Sequence, residues 1–256
     1  MKAFKELYAY RELLKTNVQK EIRGKYKGSF LGVLWSFLNP LLIMLVFTAI
    51  FSMLFGRAIE NYPVYFLTGR IIYDFFNTST KGAMRSMKRN ANLLKKIYVP
   101  KYMFAVSTIC YETINFIISF IILFLVMLLT NATFHWTLIF TIVPIALLIC
   151  LIYGVGLILA VCNTYFSDVE HLYGVFTLIL MYASALFYPM DIVPPLVQRI
   201  FTLNPVYSAI SCFRECCYGV LPNTGTLLYL AAFSFTTLGI GIILFKIYEK
   251  KLVLEL

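Results

Sequence analysis

The stretch ASALFYPMDIVPPLVQRIFTLNP, from Ala183 to Pro205, decides how the chain is folded. It begins as the end of an apolar run. Four prolines, Asp191 and Arg199 then interrupt it, and an apolar run resumes at Val206. LVQRIFTL is too short to cross a bilayer. VYSAISCFRECCYGV reaches only about 22 Å as a helix, and it carries Arg214 and Glu215. The stretch therefore reads as a break that does not cross. Two short helices joined at Asn204-Pro205 fit it, with Asn204 as an N-cap and Pro205 in the first turn. Irregular backbone at membrane depth is tolerated only where protein or a water-filled cavity covers it. The break thus points to a pore mouth; the plainer reading is an extracellular loop with surface helices.

Outward from the break, the chain is built for lipid. Of its 256 residues, 61% are hydrophobic and 13% charged, against about 25% charged in a soluble domain. Mean hydropathy is +0.82. Six runs read as spans: 31–55, 62–84, 102–130, 137–163, 172–190 and 226–247. The predicted fold is an all-α polytopic membrane protein. A soluble enzyme is excluded, and the polar, basic first residues show no signal-peptide core.

The net charge of +10 does not indicate nucleic acid. Eighteen of the 22 Lys/Arg fall in 1–28, 81–101 and 246–251, beside apolar runs. This is the positive-inside pattern, and it places both termini and the 81–101 segment in the cytoplasm. An even number of spans agrees. The loop TYFSDVEH (164–171) falls on the same side by parity alone, since it has no Lys or Arg.

Residues 1–29 read as an amphipathic helix along the membrane surface, with Phe4, Leu7, Leu14, Val18 and Ile22 on one face and basic residues elsewhere. Gly24, Gly28 and Gly32 offer joints into the first span. Residues 30–256 form the transmembrane domain.

Ionisable residues are few within the runs. Arg70 and Asp74 are four apart, so they share a helix face and can pair; Glu112 lies in the third run. Such residues face a cavity or a partner, or here simply neutralise one another and fix packing. Around them, Tyr65, Tyr73, Phe76, Tyr182, Phe187 and Tyr188 stand beside polar residues or at the break. Aromatic faces stack on sugar rings, so a sugar-polymer path through Arg70, Tyr73, Asp74, Phe76, Tyr182, Phe187 and Tyr188 is chemically reasonable. No phosphate loop, paired-carboxylate loop or HExxH motif is present. Cys212, Cys216 and Cys217 lack the companions a four-ligand zinc site needs.

Three segments in order resemble a family: KGSFLGVLWSFLNPLL (27–42), NANLLKKIYVPKYM (90–103) and ALFYPMDIVP…LNPVY…FR (185–214). The chain resembles, over nearly its whole length, the membrane subunits of ABC-2 type transporters that export O-antigen, capsule or teichoic acid polysaccharides. The resemblance implies a permease and not an enzyme, working in the bacterial cytoplasmic membrane as a homodimer. Two separate ATPase subunits would bind ATP and Mg; this chain itself carries no cofactor. A lipid-linked polysaccharide would cross between the protomers, amid membrane lipid. The coupling segment would be about 88–98, with Asn90, Leu93, Leu94, Lys95, Lys96 and Ile97 meeting the ATPase. The outer gate would be about 191–220, with Pro194, Asn204, Pro205, Arg214 and Glu215. The competing class is an ion or small-molecule channel or secondary transporter.

Overall fold

The computed structural model describes residues 8–55, 59, 61–96, 99–249 and 251–252, without the side chains of 26, 33 and 52–55. Phe4, Leu7 and Ile97 therefore lie outside the described residues. The helices are α1 (Arg11–Tyr26), α2 (Trp35–Phe55), α3 (Tyr62–Arg89), α4 (Ala91–Leu94), α5 (Tyr102–Leu129), α6 (Ile142–Tyr165), α7 (Val169–Tyr182), α8 (Pro195–Thr202), α9 (Pro205–Cys217) and α10 (Thr224–Tyr248). No strand occurs among the described residues. Among the described residues, three segments are both long and apolar enough to cross a membrane: Tyr102–Leu129, Trp136–Tyr165 and Thr224–Tyr248. The chain is a multi-pass membrane protein.

The centre of the bundle is α3, which packs against α2, α5, α6, α7 and α9. It is also the most polar of the long helices, so its Thr68, Ser79 and Thr80 are buried by protein and not by lipid. A polar helix surrounded by other helices keeps its hydroxyls and charges out of hydrocarbon. Around it, Phe47, Phe51, Tyr62, Phe66 and Phe187 form a run of aromatic rings with centroid separations of 5.0–6.5 Å.

The tightest contact is between α6 and α10. A Cβ on Gly154 would lie 2.5 Å from the Leu238 nitrogen and 2.5 Å from the Thr237 carbonyl carbon. One on Gly241 would lie 2.6 Å from the Gly154 oxygen. The two backbones touch, as small residues permit in membrane helices.

Two ends are distinguishable by their polar ties. At one end Arg89 pairs with Glu21 of α1 and donates to Thr108 Oγ1 at 3.1 Å. There too Arg85 pairs with Glu170 at 2.6 Å, Lys88 donates to Ser167 at 2.7 Å, and Lys101 donates to the Glu249 carbonyl. The loop without Lys or Arg is thus held by basic residues of α3, and it lies with the three basic segments. These exposed pairs contribute little energy; their value is topological. At the opposite end Asn61 Nδ2 donates to Thr130 Oγ1 at 2.8 Å, and Thr137 Oγ1 to the Cys216 carbonyl at 2.7 Å.

Two corrections follow. The expected run 172–190 is helical only as Val169–Tyr182, 14 residues or about 21 Å; its last third is irregular. And of the three glycine joints, Gly24 is inside α1, whereas Gly28 (φ 79°) and Gly32 (φ 49°) take the left-handed turns that favour glycine. Half-buried Leu14, Val18 and Ile22 lie on the α1 that packs against α5.

Candidate functional site

Residues of α2, α3 and α5 wall a cavity of about 420 Å³. Trp35, Ser36 and Asn39 come from α2, Arg70, Asp74, Asn77 and Thr78 from α3, and Glu112, Asn115 and Ser119 from α5. A second cavity of about 580 Å³ lies between α1, α3 and α5. Both are lined by Lys25, Thr78 and Glu112, so they adjoin. Together they run from the end bearing Arg89 to the Arg70–Asp74 pair.

The four-residue spacing brings Arg70 Nε to 2.7 Å from Asp74 Oδ2. The Arg70 side chain is 20% exposed, and its Nη1 lies 3.9 Å from the Met181 sulfur of α7. Asn115 Nδ2 donates to Glu112 at 3.1 Å. The Asn77 side-chain oxygen Oδ1 is buried with no hydrogen-bond partner among the described residues. The walls thus offer charged and amide groups able to donate and accept hydrogen bonds. No three His, Cys, Asp or Glu residues among those described could hold a metal ion. All six cysteines are free, and Cys212, Cys216 and Cys217 are buried.

The aromatic residues expected beside this path divide. Tyr73 and Phe76 are each 3% exposed and do not line the cleft. Tyr73 instead donates to the Thr177 carbonyl at 2.7 Å, and Phe76 belongs to the core. Both face away from Arg70–Asp74 because α3 is surrounded, so its aromatic face is needed for packing. Phe187 is likewise buried in the aromatic run. Tyr182 is exposed on α7, and Tyr188 is half-buried, its hydroxyl donating to the Tyr182 carbonyl at 2.5 Å.

The helix break is held from two sides. After Tyr182 the backbone is irregular, with Ala185 at φ 47°, yet Ser184, Ala185 and Leu186 are fully buried. Their carbonyls need donors, which side chains supply. Tyr62 donates to Phe187 O at 3.0 Å; the single Tyr65 hydroxyl proton is shared between Tyr188 O at 2.7 Å and Ala185 O at 3.0 Å. Asn204 Nδ2 donates to Ala183 O at 3.2 Å and to Ser184 Oγ at 2.9 Å. Arg214 donates from Nη1 to Ala185 O at 2.9 Å and from Nη2 to Tyr65 O at 3.2 Å. Its guanidinium lies 3.7 Å from the centroid of the Tyr65 ring. Gly69 makes room for it: a Cβ there would lie 2.5 Å from Nη2.

Arg214, expected at an outer gate, is 9% exposed and turned into the protein. The other expected gate residues shape α8 and α9. Pro194 is the N-cap of α8; Asn204 Oδ1 accepts from Val206 N at 2.9 Å, and Pro205 opens α9. Glu215 accepts from Ser211 Oγ at 3.2 Å and from Asn223 N at 2.8 Å, beside the start of α10. The sequence reading missed Tyr62 and Gly69. The signal was there: Tyr62, Tyr65 and Gly69 recur at three and four residues, on one face of α3.

At the other end, Asn90 closes α3, donating to Ser86 O at 2.9 Å. The segment after it forms a short helix, Ala91–Leu94, followed by a turn at Lys95 and Lys96. Leu94 is buried and Leu93 packs on the core, so the leucines are not an outward apolar face. Asn92, Lys95 and Lys96 are what this turn exposes.

The chain is similar in sequence to known proteins. The chain is 31% identical over 239 residues to an O-antigen export system permease protein RfbA of Myxococcus xanthus, covering 91% of each chain. It is 28% identical over 235 residues to an O-antigen export system permease protein RfbA of Klebsiella pneumoniae, covering 90% of each. It is 26% identical over 235 residues to the polysialic acid transport protein KpsM of Escherichia coli, covering 90% of this chain and 91% of that one. Residues 12–218 match the ABC-2 type transporter family model, and the chain belongs to that family.

Proposed function

We propose that this chain is the permease subunit of an ATP-driven exporter that moves a lipid-linked polysaccharide of O-antigen, capsule or teichoic acid type across the bacterial cytoplasmic membrane. Six spans, both termini in the cytoplasm and a homodimer with two ATPase subunits complete the reading. The span set would be α2, α3, α5, α6, α7 with its irregular extension, and α10. The observation that carries the proposal is the polar cleft at Arg70–Asp74 in a chain related over 90–91% of its length to polysaccharide export permeases. Hydroxylated cargo needs such hydrogen-bonding walls, and lipid would not tolerate them without use. ATP and Mg would sit on the partner subunits.

Deleting the gene is expected to abolish the surface polymer and to leave lipid-linked polymer inside; the chain expressed in trans restores it. Unchanged surface polymer in the deletion strain contradicts the proposal. Within the cleft, Arg70→Ala is expected to lower export on the order of tenfold, from the loss of charge-assisted hydrogen bonds, while the protein still assembles. If it unfolds instead, and exchanging the pair as Arg70→Asp with Asp74→Arg restores full export, the pair is only a packing device.

The exposed Lys95 and Lys96 are the coupling contact that remains once the leucines are assigned to the core. Lys95→Glu with Lys96→Glu is expected to release the ATPase from the purified complex, or to uncouple its hydrolysis, with normal membrane insertion. A double variant that retains both ATPase and export makes these lysines headgroup contacts. Leu94→Asp does not test docking, because it places a charge in the core.

A further inference from the structure

Away from the cleft and the break, a smaller cavity of about 280 Å³ lies between the end of α8, α9 and the start of α10. It is lined by Thr202, Tyr207, Ser208, Ser211, Gly225, Thr226 and Tyr229, so every lining residue but one carries a hydroxyl. That concentration is unusual in a chain so apolar.

Four of these hydroxyls already direct their protons into the protein. Thr202 donates to Arg199 O at 2.8 Å and Ser208 to Asn204 O at 3.3 Å. Ser211 donates to Glu215 Oε1 at 3.2 Å and Tyr229 to Leu203 O at 2.6 Å. A hydroxyl has one proton and two lone pairs, so these oxygens remain as acceptors. Ser and Thr in helices commonly bond back to their own turn. Here, however, such residues from three separate elements converge on one cavity, with two tyrosine rings among them.

A ligand for these walls must offer O–H donors and a face for the rings. No Lys or Arg lines the cavity, which disfavours phosphate. The nearby Glu215 carboxylate is held by Ser211 and by the Asn223 backbone, which disfavours an ammonium group.

We infer that this cavity is a binding subsite for a neutral sugar residue, at the end of the bundle where α10 begins. The inference rests on the export reading above and deepens it: the subsite would hold one residue of the polymer as it leaves. It is distinct from the Arg70–Asp74 cleft, with which it shares no lining residue.

Photocrosslinking in exporting cells tests it. A benzophenone amino acid replaces the exposed Thr202 in the assembled complex, and the same label at the exposed Thr78 of the cleft reports on the main path. The expected result is a carbohydrate-bearing adduct at both positions. At Thr202 it should fall at least fivefold, an order-of-magnitude figure for losing about one kcal/mol of hydrogen bonding, when Ser211→Ala and Thr226→Ala are introduced. A phospholipid adduct at Thr202, or none, with glycan still captured at Thr78, overturns the subsite and leaves the export reading intact. An adduct at Thr202 that the two alanines do not weaken also overturns it. Absence of glycan at both positions overturns both readings.

Discussion

Replacing Arg214 with methionine is expected to remove the folded protein from detergent extracts, or to lower its melting temperature sharply. Methionine has nearly the length of arginine, so the volume is largely kept and the donors are lost. Arg214 donates to Ala185 O and Tyr65 O and lies over the Tyr65 ring. Hydrogen bonds to a charged group contribute about 1.5–3 kcal/mol each, and carbonyls left without donors in an apolar interior add to the loss. The total, on the order of 4 kcal/mol, is a large share of a domain's stability. Arg214→Lys should fall between, because an ammonium cannot reproduce the fork. Tyr65→Phe should cost less, since it keeps the ring beneath the guanidinium. Fluorescence-detected size exclusion with a thermal ramp measures all three. A stable, monodisperse Arg214→Met protein would mean that the break at 183–188 is not held by this bracket.

An equally severe effect is expected at Gly154. A Cβ there would lie 2.5 Å from backbone atoms of α10, and backbone cannot move aside as a flexible side chain can. Gly154→Ala should separate α6 from α10 and cost about 1–3 kcal/mol, the range for overpacking. Gly154→Leu should abolish the folded state. Gly174 supplies the control: it is also in a helix, but a Cβ there meets nothing within 4 Å, so Gly174→Ala should not lower the melting temperature. The same extraction and melting assay reads the series. If Gly154→Leu melts with the parent protein, the close crossing is wrong.

What the sequence made legible were features set by local rules. The boundaries of α3, α5 and α10 follow from apolar length and from proline and asparagine punctuation, so the expected 62–84, 102–130 and 226–247 fall within a few residues of the observed helices. The helix start at Asn204-Pro205 follows from capping alone. The Arg70–Asp74 pair follows from helical spacing. What stayed hidden depends on which face of a helix meets which neighbour. Tyr73 and Phe76 look like cleft residues until the side of α3 that carries them is known to pack into the core, with Tyr73 bonded to α7. Arg214 looks like a surface charge until the buried Ala185 carbonyl and the Tyr65 ring are placed beside it. Leu94 looks available for docking until the core beneath it is built. The 164–171 loop carries no Lys or Arg of its own, and the partners Arg85 and Lys88 show its end of the bundle.

ATP-driven movement of a lipid-linked polysaccharide is the central claim, and reconstitution measures it most directly. The chain and its ATPase are placed in liposomes with lipid-linked polymer extracted from the deletion strain, and the polymer exposed to an external glycosidase is followed over time. The account predicts that ATP with Mg makes the polymer change sides, that ATP without Mg does not, and that Arg70→Ala slows the process on the order of tenfold. Movement that proceeds equally without ATP, or an ATPase-bound complex that hydrolyses ATP and never moves the polymer, would contradict it.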